Sequence, residues 1–322
     1  MVQEFVDNGF FISKGKKKKN IVYYLEYLLL ILMEWGYKFL LLFGRKQTPK
    51  KYYLSFCSIF KNEAPYMKEW IEYHLLVGVD HFYLYNNNST DNYLEVLQPY
   101  IDKGIVTLTE WPEVPGQITA FKHCYENYRQ ESNWMCFPDL DEFICPMEYN
   151  NIPEWLSRFK RYPLVMVYWR MFGTSGLLEH DNDRLLIEQY FNSWPKLTSL
   201  GKLFLNTEYE IGYFKVDMMH YFLAKWNKLK IPPINQFGHF VLFGIHRHHK
   251  KVDIQMNHYW SKAYSNYEAK HKRGSACWGE SWKTFDKFVE YEQHNTSCDY
   301  AIYRFLIQLK LKMTGKYPKN DD

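Results

Sequence analysis

The sequence predicts an α/β protein: a doubly wound, mostly parallel sheet with helices on both faces, preceded by an N-terminal amphipathic helix. Two observations predict the sheet. Between residues 52 and 137, four short apolar runs of strand length alternate with three segments of helical periodicity. Each helical segment is long enough for the crossover that joins parallel neighbours. A third observation, the apolar stretch 21–43 with only Glu26, Glu34 and Lys38 as charges, predicts the N-terminal helix.

The boundaries of these elements follow from breaker residues and apolar spacing. Gly78 and Gly104 end the first two helices of the α/β alternation. Ser89 or Thr90, in the polar turn after the second strand, is expected to cap the second helix. The predicted strands are 52–60, 81–85, 105–109, 134–137 and 164–171, and the predicted helices are 64–77, a segment ending at 101, 117–129 and an amphipathic tail at 300–312.

Length and composition bound the organisation of the chain. The 322 residues suit one large α/β domain with additions, or two small domains. The net charge of +4 is too small to indicate a nucleic-acid partner, and we expect none. Aromatic residues make up 19% of the chain, which is typical either of a large aromatic core or of a carbohydrate-binding surface. Because the six cysteines form no C-x-x-C pair, we expect free buried thiols in a reducing cytosol.

Residues 1–50 form a basic and apolar segment that precedes the main domain at 51–322. A helix over 21–43 would have a narrow polar stripe and a wide apolar face. Three placements are open: an interfacial helix lying on a membrane, a helix packed on the protein itself, and a membrane span. Lysines and arginines at 16–19 and between 45 and 51 favour the interfacial placement, because they attract anionic lipid. The predicted location is therefore the cytoplasm, at the inner face of the membrane.

Three carboxylates directly follow the fourth predicted strand. Asp139, Asp141 and Glu142 come after the apolar run WMCF at 134–137. An unpaired buried carboxylate is strongly disfavoured, so we expect the acids at the carboxyl end of the strand, where open α/β sheets bind ligands. Strand alternation would place Asp139 and Asp141 on one side. Two hard oxygen ligands there suit Mg²⁺ or Mn²⁺ carrying a diphosphate, and a solvated acidic turn is the alternative.

Other polar residues follow the first two strands at the same expected edge. Asn62 and Glu63 come after the first strand, and a polar turn ending at Asp91 comes after the second. Carboxyl ends of parallel strands meet at one edge, so these residues are expected near the acids. The chain has no G-x-G-x-x-G after its first strand and no P-loop pattern, which removes the usual dinucleotide and P-loop hypotheses.

Six short segments, taken together, form a pattern typical of one enzyme family. They are SIFKNE at 58–63, YMKEW at 66–70, HFYLYNN at 81–87, DLDEF at 139–143, FGTSG at 172–176 and NHYWSK at 257–262. In these segments the chain resembles glycosyltransferase family 92 and the related family-2-like bacterial glycosyltransferases, closely over 52–145. The resemblance implies a GT-A fold, with 51–145 as the nucleotide-sugar-binding half and 146–322 as the acceptor-binding half with C-terminal helices.

The resemblance also implies an activity, a cofactor and residue roles. The activity is sugar transfer from a nucleotide-sugar, best known in this family as inverting transfer from UDP-galactose, with Mn²⁺ or Mg²⁺. The implied nucleoside and diphosphate ligands are Asn62, Glu63, Asp91, Asp139 and Lys262, and the implied metal ligands are Asp139, Asp141 and His258. Three of these residues have structural alternatives: Glu63 as an acid at a helix N-terminus, His258 as a packed core histidine, and Lys262 on a solvated basic helix face.

An inverting transfer needs a general base that deprotonates the acceptor hydroxyl. Glu179, Asp181 and Asp183 follow the FGTSG turn and are the nearest candidates, with an exposed acidic loop as the alternative. Glu188 is a further candidate, because it lies in the apolar run LLIEQYF, where a carboxylate requires a partner. The sequence leaves the choice between these acids open.

The histidines between 239 and 258 show no usual zinc spacing beside a cysteine, so we expect most of them to pack or lie at the surface. The resulting hypothesis is a metal-dependent glycosyltransferase. It would move sugar from a UDP-sugar to a glycan or lipid-linked glycan in surface polysaccharide biosynthesis. The alternatives are a non-catalytic sugar-binding or scaffold protein on the same fold, and a sugar-nucleotide pyrophosphorylase. The pyrophosphorylase should carry a glycine-rich loop after its first strand, which segment 58–63 lacks.

Overall fold

The computed structural model describes residues 11–12, 20–211, 220–249, 251–274 and 284–317; the basic run 16–19 and Cys277 lie outside these ranges. The helices are α1 (Ile21–Leu40), α2 (Ala64–Leu76), α3 (Tyr93–Asp102), α4 (Gln117–Tyr128), α5 (Ile152–Leu156), α6 (Leu186–Gln189), α7 (Tyr264–Arg273), α8 (Phe285–Glu292) and α9 (Leu306–Met313), with 3-10 turns at Leu41–Phe43, Ser157–Phe159 and Ala301–Phe305. The strands are β1 (Phe11–Ile12), β2 (Tyr52–Phe60), β3 (His81–Asn86), β4 (Val106–Glu110), β5 (Ser132–Cys136), β6 (Glu142–Pro146), β7 (Leu164–Met171), β8 (Asn192–Ser193), β9 (Leu197–Thr198), β10 (Gly201–Asn206), β11 (Glu210–Ile211), β12 (Ala224–Trp226), β13 (Leu229–Ile231), β14 (Ile234–Asn235), β15 (Ile254–His258) and β16 (Ser297–Cys298).

The central sheet has nine strands and is mostly parallel. Its order is β4-β3-β2-β5-β10-β7-β15-β6, and β14 pairs with β7 outside this path. The neighbours β4, β3, β2 and β5 are all parallel, and so are β7 and β15. Only β10 and β6 run against the others. The predicted α/β class is therefore confirmed, and the β-α units of residues 52–136 wind outward from β2 as a doubly wound sheet does.

The first four predicted strands and three predicted helices appear within a few residues of their expected bounds. One expected helix cap was wrong. The helix α3 begins at Tyr93, and the side chain of its N-cap residue Asn92 accepts no capping hydrogen bond from the helix backbone. Ser89 and Thr90 bind Asn62 in the neighbouring loop instead: the amide of Asn62 donates to Ser89 Oγ at 3.0 Å, and the amide of Thr90 donates to Asn62 Oδ1 at 2.7 Å. The two residues expected to cap α3 therefore form a contact between two loops instead.

Hydrophobic cores lie on both faces of the sheet because side chains of a strand alternate between faces. In β2, Phe56 contributes to the core under α2, where its ring centroid lies 6.0 Å from that of Trp70. The next residue, Cys57, contributes to the core under α4, which also contains Phe121. The cysteines among the described residues are free, and all but Cys298 are buried, as expected from the sequence. The predicted C-terminal helix is present as a 3-10 turn followed by α9.

Helix α1 packs on the domain along one side. Leu30, Glu34 and Tyr37, spaced one turn apart, are buried there. The Glu34 carboxylate accepts hydrogen bonds from the amide of Phe240 at 2.9 Å and from Arg247 Nη1 at 2.8 Å. Of the polar stripe predicted for this helix, Glu34 therefore faces the protein, whereas Lys38 is exposed. Packing on the protein is confirmed for this side.

The other side of α1 and the following 3-10 turn is apolar and exposed. Trp35, with 74% of its surface exposed, lies near the middle of this side. The other exposed apolar residues are Ile21, Val22, Tyr24, Leu25, Leu28, Leu29, Leu32, Phe39, Leu40, Leu42 and Phe43. Within the described ranges, no helix combines the length and apolarity that crossing a bilayer requires. The interfacial placement stays a prediction.

Candidate active site

Two loops at the carboxyl edge of the sheet are bound to each other. The loop after β2 contains Asn62, whose left-handed φ of 53° is one that asparagine tolerates better than most residues. Its hydrogen bonds to Ser89 and Thr90 tie it to the loop after β3. In the same loop, Asp91 Oδ2 accepts from the amide of Ala64 at 2.9 Å, at the first turn of α2. Asn62 and Asp91 thus shape this edge of the sheet.

The two acids of the DLDEF segment face different partners. They lie in the turn between β5 and β6, outside both strands. The expectation that strand alternation would put Asp139 and Asp141 on one side was therefore wrong. Asp139 accepts from Gln117 Nε2 and from Lys202 Nζ, each at 3.0 Å. Asp141 instead accepts from Lys270 Nζ.

Asp139 belongs to what we call the Lys202 cluster, which comprises Gln117, Asp139, Glu142 and Lys202. Strand β10 pairs with β5 and extends past its end, so Lys202 reaches the turn that follows Cys136. The Lys202 side chain is 1% exposed and lies 3.7 Å from Glu142 Oε1. Burial lowers the pKa of Lys202, but Asp139 and Glu142 more than offset this and hold it above its ordinary value. Burial raises the pKa of Glu142 well above its ordinary value, and the charges of Asp139 and Asp141 add to that rise.

His258 reaches Asp141 through strand register. In the antiparallel pair of β15 and β6, His258 lies opposite Glu142, the residue after Asp141. The amide of Tyr259 donates to the Asp141 carbonyl at 2.9 Å, which fixes the two backbones together. As a result, His258 Nε2 lies 3.7 Å from Asp141 Oδ1, and both side chains are buried.

The second group of charges, the Lys270 cluster, comprises Glu63, Asp141, Lys262, Lys270 and Arg273. It joins the loop after β2 and the turn after β5 to helix α7 and the residues just before it. Lys262 Nζ donates to Glu63 Oε2 at 3.0 Å, and Arg273 Nη1 donates to Glu63 Oε1 at 3.1 Å. Glu63 makes no side-chain cap hydrogen bond to α2, so its side-chain contacts are those of an ion-paired residue.

Burial and neighbouring charges shift the pKa values of this cluster. Burial raises the pKa of Asp141, but Lys270, His258 and Lys262 together hold it well below its ordinary range. Burial lowers the pKa of Lys262 to about 8, and the charge of Lys270 adds to that fall. Lys262 also lies 3.4 Å from the centroid of the Tyr66 ring, a cation–π contact. The solvated basic helix face considered for Lys262 was wrong, because its side chain is 1% exposed.

The Lys270 cluster has one more positive than negative charge when histidine is neutral. Three cations, those of Lys262, Lys270 and Arg273, surround the carboxylates of Glu63 and Asp141. The side chains of these cations are 1%, 12% and 28% exposed, so the excess positive charge is partly open to a ligand. The geometry therefore suits an anionic ligand with several oxygen atoms, such as a diphosphate, at the carboxyl edge of the sheet.

Asp141 and His258 are the described residues best placed to hold a divalent ion. A carboxylate oxygen and an imidazole nitrogen 3.7 Å apart can contact one ion. In the described ranges, no group of three or more His, Cys, Asp and Glu side chains is arranged to hold a metal. The remaining coordination positions would fall to diphosphate oxygens and water, as is usual for Mg²⁺-type sites.

The candidate bases occupy different surroundings. Glu179, Asp181 and Asp183 are exposed, and Asp181 Oδ1 accepts from the amide of Asp183 at 3.0 Å within their loop. Glu188 pairs with Lys310 of α9 at 2.8 Å, which supplies the partner that its apolar run required. The loop before Glu188 adjoins the Lys270 cluster through ring contact between His180 and Tyr66, with centroids 5.1 Å apart.

Three site residues were missed from the sequence: Gln117, Lys202 and Lys270. Lys202 had a usable signal, because it is the single charge in the apolar strand run GKLFLN. A charge in such a run requires a partner, which is the argument applied to Glu188. Lys270 had no such signal, since it lies among other basic residues at the end of a polar helix.

The fold and site together define an α/β protein with a cationic, carboxylate-containing site at the carboxyl edge of its sheet. The sequence profile of glycosyltransferase family 92 matches residues 50–299, so the chain belongs to that family. A family 92 glycosyltransferase protein of Arabidopsis thaliana is 35% identical over 99 residues, which are 30% of this chain and 17% of that protein.

Two further similarities differ in strength. The galactan β-1,4-galactosyltransferase GALS2 of Arabidopsis thaliana is 32% identical over 147 residues, 42% of this chain and 28% of its own length. This chain therefore spans less than a third of the length of these curated relatives. A mannosyltransferase of Pyrobaculum calidifontis, solved with GDP-Man and Mn²⁺, has a TM-score of 0.30 and 17% identity, covering 45% of this chain and 44% of its own. A TM-score this low supports no argument about fold or function.

Proposed function

We propose that the protein is a metal-dependent glycosyltransferase that moves a sugar from a UDP-sugar, with UDP-galactose as the leading candidate, to a glycan acceptor. The single observation that supports this most is the Lys270 cluster at the carboxyl edge of the sheet. It contains Asp141, which lies beside His258, in a chain that belongs to family 92. An excess of cations beside two metal-type ligands suits a nucleoside diphosphate with a divalent ion.

Donor binding would use the residues of the edge in distinct ways. The nucleoside would lie against the loops of Asn62 and Asp91, in the half formed by 51–145. The diphosphate would lie against Lys262 and Arg273. Asp141 and His258 would bind Mn²⁺ or Mg²⁺, which supplies charge stabilisation to the diphosphate when bound. Through its contacts in the Lys202 cluster, Asp139 would hold in place the turn that contains Asp141.

The reaction would be a direct displacement with inversion at the anomeric carbon. The acceptor hydroxyl attacks that carbon, the bond to the diphosphate oxygen breaks, and the leaving nucleoside diphosphate gains one negative charge. The excess positive charge of the Lys270 cluster is placed to stabilise that added charge. Glu179, Asp181 and Glu188 remain the candidate bases in the acceptor half, 146–322. Asp181 and Glu179 are favoured over Glu188, because Lys310 already neutralises Glu188.

Ligand-induced stabilisation tests the donor site. Purified protein would be heated with UDP-, GDP-, ADP- and CMP-sugars, with and without Mn²⁺, beside the Asp141→Asn variant. Ligand at 100 times its Kd should add about 2.7 kcal/mol to the free energy of unfolding. The expected result is a Mn²⁺-dependent shift with the UDP-sugar that is lost in D141N. No shift with any nucleotide in folded wild-type protein would sink the proposal and leave the scaffold hypothesis.

Chemistry separates the remaining alternatives. A transferase releases UDP in the presence of a glycan acceptor and hydrolyses UDP-sugar slowly without one. A sugar-nucleotide pyrophosphorylase would instead consume pyrophosphate and release a sugar phosphate. Binding of a UDP-sugar with neither reaction would favour a sugar-binding scaffold.

We also propose that α1 lies on the cytoplasmic face of a membrane through its exposed apolar side. The side is continuous over the helix and includes Trp35, a residue type enriched at lipid interfaces. Exposed basic residues Lys38 and Lys46 border it, which suits anionic lipid. Arg161, which precedes β7, donates to the Leu41 carbonyl at 3.0 Å, so the end of α1 is bound at the edge opposite the active site. The site would then face away from the lipid, which favours an extended glycan over a sugar at the lipid headgroups.

Vesicle flotation tests this contact. Phosphatidylcholine vesicles with and without phosphatidylglycerol would be mixed with wild type, Leu32→Glu and the control Leu229→Glu, which changes an exposed leucine on β13. Burying one leucine contributes about 1.5–3 kcal/mol, so L32E should weaken vesicle binding about tenfold or more, and L229E should not. Equal binding of the three proteins would overturn the proposal. A change of oligomeric state in L32E alone would show that a second copy covers α1.

A further inference from the structure

The side chain of Lys270 lies on the carboxylate that the proposed function gives to the metal. Its Nζ donates to Asp141 Oδ2, while His258 approaches Oδ1 of the same carboxylate. The Lys270 side chain is 12% exposed, so this ion pair is largely shielded from water. The ammonium of Lys270 and the carboxylate of Asp141 are thus in direct contact.

We propose that Lys270 and a divalent cation exchange places on Asp141: the ammonium neutralises Asp141 before donor binding, and moves to the diphosphate when the metal and donor bind together. The inference rests on the proposed function, because it assigns Lys270 a role in the same donor site. It makes Lys270 a competitor of the metal for Asp141 in one state and a diphosphate ligand in the other.

The first argument is electrostatic exclusion. An ammonium and a divalent cation repel each other strongly at the short separations that sharing one buried carboxylate would impose. Removing Lys270 without a replacement would leave Asp141 beside only His258 and the more distant Lys262. The exchange avoids both unfavourable states, because a cation is present on Asp141 throughout.

The second argument is charge balance around the transferred sugar. The two negative charges of a nucleotide-sugar diphosphate match the two positive charges of the metal, so the excess positive charge of the Lys270 cluster persists in the donor complex. When the glycosidic bond breaks, the leaving diphosphate gains one negative charge. A lysine released from Asp141 can then stabilise that charge where it develops.

The third argument concerns reach. Lys270 lies in the last turn of α7, one turn before Arg273, which already binds the other carboxylate of the cluster, Glu63. The two cations therefore flank the region where the diphosphate is proposed to lie. Lysine has a long flexible stem and a point charge, so it can move between two oxygen partners without movement of the helix.

Direct metal binding tests the exchange without any assay of activity. Mn²⁺ binding to wild type, Lys270→Met and Lys272→Met would be measured by calorimetry and by the electron paramagnetic resonance signal of free Mn²⁺, with and without UDP. Lys272 is the matched control, because it is an exposed lysine on the same helix turn. Without UDP, K270M should bind Mn²⁺ roughly tenfold or more tighter than wild type, because the ammonium no longer competes with the ion for Asp141. K272M should match wild type.

The UDP arms complete the test. With Mn²⁺ saturating, K270M should bind UDP more weakly than wild type, because it lacks the diphosphate ligand. If K270M fails to fold, Lys270→Gln removes the same charge with a polar side chain. Equal Mn²⁺ affinity of wild type and the folded variant would overturn the exchange. So would UDP binding to wild type that needs no metal, since Lys270 would then be a permanent substitute for the ion. Failure of UDP to bind wild type under any condition would instead overturn the proposed function.

Discussion

Two lysine–carboxylate clusters adjoin the same turn, and they differ in what supports each lysine. Lys202 lies on β10 in the middle of the sheet, and its side chain is 1% exposed. Lys270 lies at the end of α7, and its side chain is 12% exposed. The first lysine lies on a strand that pairs with β5 and β7, whereas the second belongs to a helix outside the sheet.

This difference indicates different roles for Asp139 and Asp141, which look equivalent in the sequence. Asp139 has a partner that a ligand cannot easily replace, since Lys202 is buried between strands. Asp141 has a partner on a peripheral helix and a histidine on its other side. We infer that the Lys202 cluster supports the turn, while the Lys270 cluster binds the ligand.

The largest expected effect is on stability, from Lys202→Met. Removing one partner of a buried ion pair leaves an uncompensated charge and costs about 3–5 kcal/mol. Chemical denaturation should therefore show that loss in K202M. The control is Lys310→Met, which breaks a lysine–glutamate pair whose lysine is 43% exposed. Equal stability of K202M and wild type would show that the Lys202 cluster does not support the fold.

The next effect is on catalysis, from Asp141→Asn compared with Asp139→Asn. Losing one preorganised charge contact at a developing charge costs about 10²–10³ in rate. We expect D141N to lose at least about a hundredfold in metal-dependent release of UDP from its sugar donor. The rate of D139N should stay within about tenfold of the wild-type rate, because Asp139 contacts Gln117 and Lys202 and not the proposed metal position. The reverse ranking, measured in folded proteins, would invert the assignment of the two clusters.

A smaller effect is the pH dependence caused by Lys262. Its pKa in the folded protein is about 8, against 10.5 ordinarily. As pH rises from 7 to 9, Lys262 loses its charge, and UDP affinity should fall by up to about tenfold. Calorimetric titration across this range should show a flat profile in Lys262→Met. A profile unchanged by K262M would mean that another group titrates.

The same pKa predicts the opposite sign for stability. Between pH 8 and 10.5 the unfolded chain holds the Lys262 proton and the folded chain does not. The unfolded state therefore binds more protons, and the contribution of Lys262 to stability rises with pH in that window. Comparing the denaturation of K262M with that of wild type at each pH isolates this contribution. The stability of wild type relative to K262M should rise with pH, whereas its UDP affinity should fall.

The smallest effect is expected at Glu188, which lies outside both clusters. Its pair with Lys310 is partly exposed, and such pairs contribute about 0–1 kcal/mol. Glu188→Gln should therefore change stability by no more than that and leave turnover close to wild type, while Asp181→Asn or Glu179→Gln lowers it. A large loss of turnover in E188Q alone would make Glu188 the general base.

Much of the fold could be predicted because its signals are local. Strand-length apolar runs, helical periodicity and breakers such as Gly78 lie within short windows, and they located the β-α alternation. The exit of a strand into carboxylates likewise located the turn that contains Asp139 and Asp141. The capping of α3 failed because Ser89 and Thr90 bind another loop, which no local window contains.

The sequence by itself determined that an α/β sheet forms and that acids, Asn62 and Asp91 gather at its carboxyl edge. Only the tertiary structure decided which cation meets which acid. Lys202 lies 63 residues from Asp139, and Lys270 lies 129 residues from Asp141. Such pairings depend on strand order, on the register that sets His258 beside Asp141, and on where α7 packs. These are properties of the assembled sheet, because the free energy that selects them comes from burying the whole core.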